Sequence, residues 1–230
     1  MNSISFNEDQ AIAFLQRRDL TAEMLTSLSR NPEAMKSRKV LLALIAHPRT
    51  PRHVSLPLLR RAFVFDLMQV ALTPGVAADL KRAAEDQILL RVEALSAGEK
   101  TTLAKRGSSR VSAALLEEDD ARVVAPALDN AHLTEPLVVQ AIMKPRAPTV
   151  LFELVSEHPN WCQRREIQLA LLRSESTPID KAKRFASHFS ESTLRDTVPE
   201  SRRDELLPLG NPSAEVLPAR DLDFESGETE

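Results

Sequence analysis

The sequence predicts an all-α protein built as a series of short antiparallel helix pairs. Three observations carry this. Apolar residues recur at spacings of three and four along most of the chain, the stripe of an amphipathic helix. Leucine and alanine rather than aromatic residues supply the core, with eight Phe, one Trp and no Tyr among 230 residues; sheets prefer β-branched and aromatic side chains. Finally, prolines come in close pairs, as in IAHPRTPRHVSLPLL (45–59) and again in IMKPRAPTVLFELV (142–155).

The paired prolines divide the labour of a corner. A proline disfavours helix for the residue before it, so Asn31-Pro32, His47-Pro48, Lys144-Pro145 and His158-Pro159 each end an apolar helical run. The second proline starts the next helix. At Thr50-Pro51, Thr73-Pro74 and Thr177-Pro178 the threonine hydroxyl is expected to cap a first-turn N–H, with proline in the first helical position. Thr21-Ala22, Thr134-Glu135-Pro136 and Ala147-Pro148 are variants of this start. Taken in order, these signals place helices at 8–17, 22–29, 34–46, 52–63, 64–72, 76–95, 99–106, 109–117, 121–129, 135–143, 148–157, 161–173, 178–188, 191–197 and 200–207. Pro57 conflicts with the helix begun at Pro51, so that helix either restarts with Ser55 as cap or opens as a 3₁₀ turn.

Corners at Pro51, Pro148 and Pro178 are separated by 97 and 30 residues, close to three units and one unit of about 32 residues, a length typical of two-helix repeats. Residues 73–134 fit this period less well and read as decayed repeats. The helical domain is assigned to 1–207. Residues 208–230, rich in proline, glycine and acid, offer no continuous apolar face and read as a disordered acidic tail.

The net charge is −3 with 27% charged residues, against the basic excess of a dedicated nucleic-acid binder. A single cysteine, Cys162, excludes an intrachain disulfide framework and fits a reducing compartment. The first residues are polar and acidic, unlike a signal peptide. The least charged run, 62–79, is interrupted by Asp66, Pro74 and Gly75 and is unsuited to spanning a bilayer. A cytoplasmic protein without membrane contact is expected.

Side chains able to carry chemistry are scattered. His47, His53, His132, His158 and His188 form no metal-binding spacing; His47 and His158 occupy equivalent corners, where imidazole would meet helix C-terminal carbonyls. Cys162 is expected at a helix start beside Trp161, without a placed His/Asp partner. The acids of LLEEDDARVV (115–124) suit a solvated corner, with Asp119 or Asp120 as a helix cap. The glycines build no phosphate loop. No catalytic residue, metal or cofactor is assigned. Basic pairs are more frequent: Arg17-Arg18, Arg60-Arg61, Lys81-Arg82, Lys105-Arg106, Arg164-Arg165 and Arg202-Arg203. Their ordinary use is to cover apolar helix flanks and pair with acids. Gathered on one face they would form a positive stripe.

SEHPNWCQRREIQLALLRSESTPIDKAKRF (156–185) resembles the variant leucine-rich repeat and the wider HEAT-like helical repeats. The matching elements are His158, Pro159, Trp161, Arg165, Ala170, Leu171, Thr177 and Pro178, and LLALIAHPRTPRHVSLPLL (41–59) carries the corner again. Ser174-Glu175 stands where Asn-Pro is expected. The resemblance covers about 50 residues. It implies a right-handed, armadillo-like superhelix, an α-solenoid used for binding, and no reaction. The variant leucine-rich repeat can come with a cysteine-rich iron–sulfur segment, which one cysteine cannot build. The expected function is therefore a non-catalytic scaffold that binds another protein, with Arg60, Arg61, Trp161, Arg164 and Arg165 as candidate contact residues. The alternative is a nucleic-acid-binding HEAT-like repeat with an Arg-rich concave face.

Overall fold

The computed structural model describes residues 7–211. Among them are fifteen α-helices, four 3₁₀ turns and no strand. The chain divides into two compact units, 1–155 and 156–230.

The first unit contains α1 (Glu8–Leu15), α2 (Ala22–Ser29), α3 (Arg38–Ala46), α4 (Arg52–Leu59), α5 (Val64–Leu72), α6 (Ala78–Leu89), α7 (Ala97–Arg106), α8 (Ser109–Leu115), α9 (Ala121–Leu128), α10 (Glu135–Ile142) and most of α11 (Thr149–Glu157). Helices this short are marginal alone, so packing must hold them. Contacts run to the sequence neighbour and to the helix after it: α3 meets α4 and α5, α6 meets α8, α8 meets α9 and α10, and α7 meets α9. Each helix turns its stripe inward, so Leu25, Leu44, Ile45, Leu67, Leu80, Ile88, Leu103, Val124 and Val138 are buried. Each such side chain contributes about 1.5–3 kcal/mol relative to exposure.

Side-chain caps fix several helix starts. Asn7, Thr21, Ser37, Ser96, Ser108 and Asp120 each accept a first-turn N–H. Ser37 lies inside the expected helix 34–46. Its extended backbone breaks that segment into a 3₁₀ turn, Ala34–Lys36, and α3. The expected helix 76–95 likewise ends at Leu89, followed by a 3₁₀ turn at Val92–Ala94.

Thr50 does not cap α4, and Pro51 is itself the N-cap residue. The buried Thr50 hydroxyl instead donates to the Leu44 carbonyl at 2.7 Å. It therefore satisfies an end carbonyl of the helix before, not an N–H of the helix after. Thr73 also bonds backward, to Gln69 O at 2.6 Å, and Pro74 precedes a turn whose Gly75 has φ 81, the left-handed conformation glycine tolerates.

Two prolines lie within helices. α4 runs through Pro57 without a restart. Pro57 and His53, whose carbonyl loses its usual donor, are both exposed, so water can serve it. Pro126 in α9 deprives the Arg122 carbonyl in the same way. There Thr101 of α7 donates its hydroxyl to Arg122 O at 3.1 Å.

The corners in the middle of the first unit use other chemistry. Gly107 ends α7, and a Cβ there would meet the Leu103 carbonyl at 2.5 Å. Buried Asn130 donates to Ala104 O at 2.7 Å and Gly107 O at 3.1 Å, while its own oxygen accepts His132 N–H at 2.8 Å. Buried Ser112 reaches Ala104 O and Ala127 O.

The second unit contains α12 (Arg165–Arg173), α13 (Ile179–Ala186), α14 (Glu191–Thr197) and α15 (Arg203–Leu206). α12 packs on α13 and α14, and α13 on α15. Its core is more aromatic, with Trp161, Phe185 and Phe189 buried beside Ile167, Leu171, Leu172 and Leu206. Thr177 repeats the Thr50 contact, donating to Leu171 O at 2.6 Å, and Pro178 is again the N-cap. The expected tail begins at 208, but Leu207–Leu209 form a 3₁₀ turn and Asn211 N–H donates to Phe189 O at 2.9 Å. The tail beyond residue 211 lies outside the described residues.

Candidate interaction surface

Corner residues between helices carry carbonyls that no helix ladder satisfies. Here arginines from a later corner supply donors repeatedly. Arg49 reaches Arg18 O at 2.9 Å and Leu20 O at 3.1 Å, 31 and 29 residues away. Arg91 reaches Ala62 O at 2.7 Å and Arg60 O at 2.9 Å, 29 and 31 residues away. In the second unit Arg202 reaches Thr177 O at 2.7 Å, 25 residues away, and also bonds Glu175 O. None of these three clasps was singled out from sequence. Their signal is an arginine in each later corner, about one repeat beyond the carbonyls it holds.

The candidate contact residues fall into two groups. Arg60 and Arg61 belong to the first unit, and Trp161, Arg164 and Arg165 to the second. Arg60 closes α4 as its C-cap. Arg61 follows, its guanidinium 3.5 Å from Met35 O. Both are exposed. Beside them stands Phe63, the N-cap residue of α5, 67% exposed. The Arg38 guanidinium lies 5.6 Å from its ring centroid and also grips Asp66 at 2.5 Å. Asp66 is 1% exposed, so this ion pair keeps a buried carboxylate satisfied. Leu90, 77% exposed, directly precedes Arg91. Phe63 and Leu90 were not among the sequence candidates, because exposure of an apolar residue inside a helical pattern is a tertiary property.

In the second unit Trp161 is 6% exposed. Arg164 lies over its ring at 4.8 Å from the centroid, and Arg165 over Phe189 at 4.9 Å. These arginines roof buried aromatic rings, where cation–π attraction and stem packing both act. The structure thus joins Trp161 to Arg164, and places Arg165 on a different ring. Cys162 precedes α12 rather than opening it and is half-buried; its carbonyl accepts a hydrogen bond from Gln168 at 2.7 Å.

Several other basic residues are engaged with acids. Arg17 pairs with Asp19, Arg52 with Asp79, and Arg110 with Asp86. The acidic cluster is divided similarly: Glu118 bonds Lys100, Glu117 bonds Lys144, and Asp120 caps α9. Hydrogen bonds from the Arg122 guanidinium and N–H hold the Asp120 carboxyl below the usual range.

The corner histidines accept backbone N–H groups from the residue two positions later. His47 Nδ1 accepts Arg49 N–H, and His158 Nδ1 accepts Asn160 N–H, each at 3.2 Å. Burial, aided by the Arg49 charge, pushes the His47 pKa below its ordinary value, which favours the neutral ring this bond requires. Among the described residues no group of three His, Cys, Asp or Glu side chains could hold a metal ion, and no helix is long and apolar enough to cross a membrane.

Comparison with protein-family models, curated proteins and solved structures gives no match.

Proposed function

We propose that the chain is a non-catalytic scaffold, an α-solenoid of HEAT-like repeats, whose exposed surface binds another protein. The supporting observation is the recurrence of one tertiary contact. Arg49, Arg91 and Arg202 each hold corner carbonyls 25–31 residues earlier. A contact repeated at the length of a helix pair is what serial stacking requires. Stacked pairs offer long surfaces for recognition, and the single cysteine suits the cytoplasm.

Two measurements test this. Solution scattering should give a radius of gyration above the roughly 17 Å expected of a compact globule of this length; a value at or below that removes the solenoid. For function, proteins retained on the immobilised full chain are purified and mixed with it again. A saturable isotherm with one of them supports the scaffold. Binding only to oligonucleotides, with the steep salt dependence of phosphate contacts, transfers the reading to a nucleic-acid-handling repeat.

A further inference from the structure

We infer that the corners at residues 60–63 and 90–91 form a docking surface for an acidic partner segment carrying apolar anchors; this rests on the protein-binding reading above. Phe63 and Leu90 have the highest exposure of the large apolar side chains described, 67% and 77%. Arg91 ties the two corners together by its bonds to Ala62 O and Arg60 O. The backbone segments that carry Phe63 and Leu90 are therefore tied to each other, which lowers the entropic cost of binding across both corners.

Charge selects the occupant. Exposed Arg60 and Arg61 precede Phe63 in the same corner, and Arg38 lies 5.6 Å from the Phe63 ring centroid. Arg91 meets carbonyl oxygens and the Gln87 side chain. Among the described residues, Arg60, Arg61 and Arg91 have no carboxylate within ion-pair distance. Nearby acids offset little. Asp66 is 1% exposed and engaged by Arg38, and Glu33 pairs with Lys36; Glu93 is the remaining exposed acid close in sequence. A partner must bring negative charge to Arg60 and Arg61 and apolar side chains to Phe63 and Leu90. Phosphate would satisfy the arginines but leave Leu90 unused. An acidic peptide with a Leu or Phe anchor uses both.

The test uses the full chain and a fluorescein-labelled peptide of about 15 residues, alternating Glu/Asp with Leu and Phe. Two controls accompany it: the same peptide with Leu and Phe changed to Ser, and a single-stranded oligonucleotide of equal charge. Anisotropy should show saturable binding of the first peptide, weakened about tenfold by F63S/L90S and about tenfold by R60E/R61E. The Ser-substituted control should bind at least tenfold more weakly. All four positions are exposed, and circular dichroism checks that the variants remain folded. No peptide binding to the wild type, binding indifferent to both double variants, or preference for the oligonucleotide each overturns the proposal. A partner purified on the full chain that binds F63S/L90S and R60E/R61E as well as wild type would retain the scaffold and eliminate this surface.

Discussion

The corner 47–51 of the first unit and the corner 174–178 of the second make the same three contacts with different residues. The first reads His-Pro-Arg-Thr-Pro, the second Ser-Glu-Ser-Thr-Pro. In one, His47 Nδ1 accepts Arg49 N–H at 3.2 Å; in the other, the Ser174 hydroxyl accepts Ser176 N–H at 3.3 Å. In both, the fourth residue's N–H returns to the first residue's carbonyl. In both, a buried threonine donates to the carbonyl six residues earlier. What the two corners share is therefore the threonine and the proline after it. The first proline is replaceable: α12 ends at Arg173 with Glu175 where the other corner has Pro48. They differ in their clasp. Corner 47–51 contributes Arg49 to an earlier corner, whereas 174–178 receives Arg202 from a later one.

The largest test is removal of the shared hydroxyl. Thr50→Val leaves the buried Leu44 carbonyl without its donor and should destabilise by about 1–3 kcal/mol. Thr177→Val removes one of two donors to Leu171 O, which keeps the Ser174 N–H at 3.3 Å, and should cost about 1 kcal/mol. Serine at either site should restore most of the loss in urea unfolding. Valine variants as stable as wild type would break the equivalence of the corners. Next come the clasps. Arg202→Met and Arg49→Met keep an apolar stem and remove the donors, with an expected loss of about 1 kcal/mol each, read from thermal midpoints. Equal stability would demote the clasp to a surface contact.

The acceptor separates the corners by pH. The His47 pKa is lowered in the fold, so the folded state resists the proton that the unfolded chain takes up. The imidazole contribution is complete above the unfolded value of about 6.5 and falls as pH drops below it through the folded pKa. His47→Asn keeps an acceptor that does not titrate in this range, and should flatten that part of the stability curve. An unchanged slope would show that the ring is not responsible. The smallest effect belongs to a third corner, Lys144-Pro145-Arg146-Ala147-Pro148, which has alanine at the threonine position. Ala147→Thr should gain about 0.5 kcal/mol by adding a donor; a loss would show that this corner has a different backbone path.

The helix order was legible because each helix announces itself locally. Stripe, cap and stop signal all lie within a few residues, and each predicted segment contains a helix, although several are shorter than expected. Corner chemistry was less legible. A Thr-Pro pair fits an N-cap and a backward hydroxyl bond equally well, and only the folded corner distinguishes Thr50 bonding Leu44. In the centre, Gly107 and Asn130 shape a corner by close approach and amide hydrogen bonds, signals that a search for paired prolines does not register. Among the candidate contacts, Trp161 is buried in the core of the second unit, so its ring packs inward instead of standing at the surface. The prominence of Phe63 and Leu90 depends on which faces neighbouring helices cover, which no local pattern records.

Thr101 and Pro126 show how such dependence couples distant positions. An imino acid late in α9 strands the Arg122 carbonyl, and a hydroxyl on α7, which also donates to Ala97 O at 2.8 Å, reaches it at 3.1 Å. Arg122 is exposed, so water serves the same oxygen when the hydroxyl is lost. Each of the two residues is therefore worth slightly more in the presence of the other, and the coupling between them is a fraction of one shared hydrogen bond.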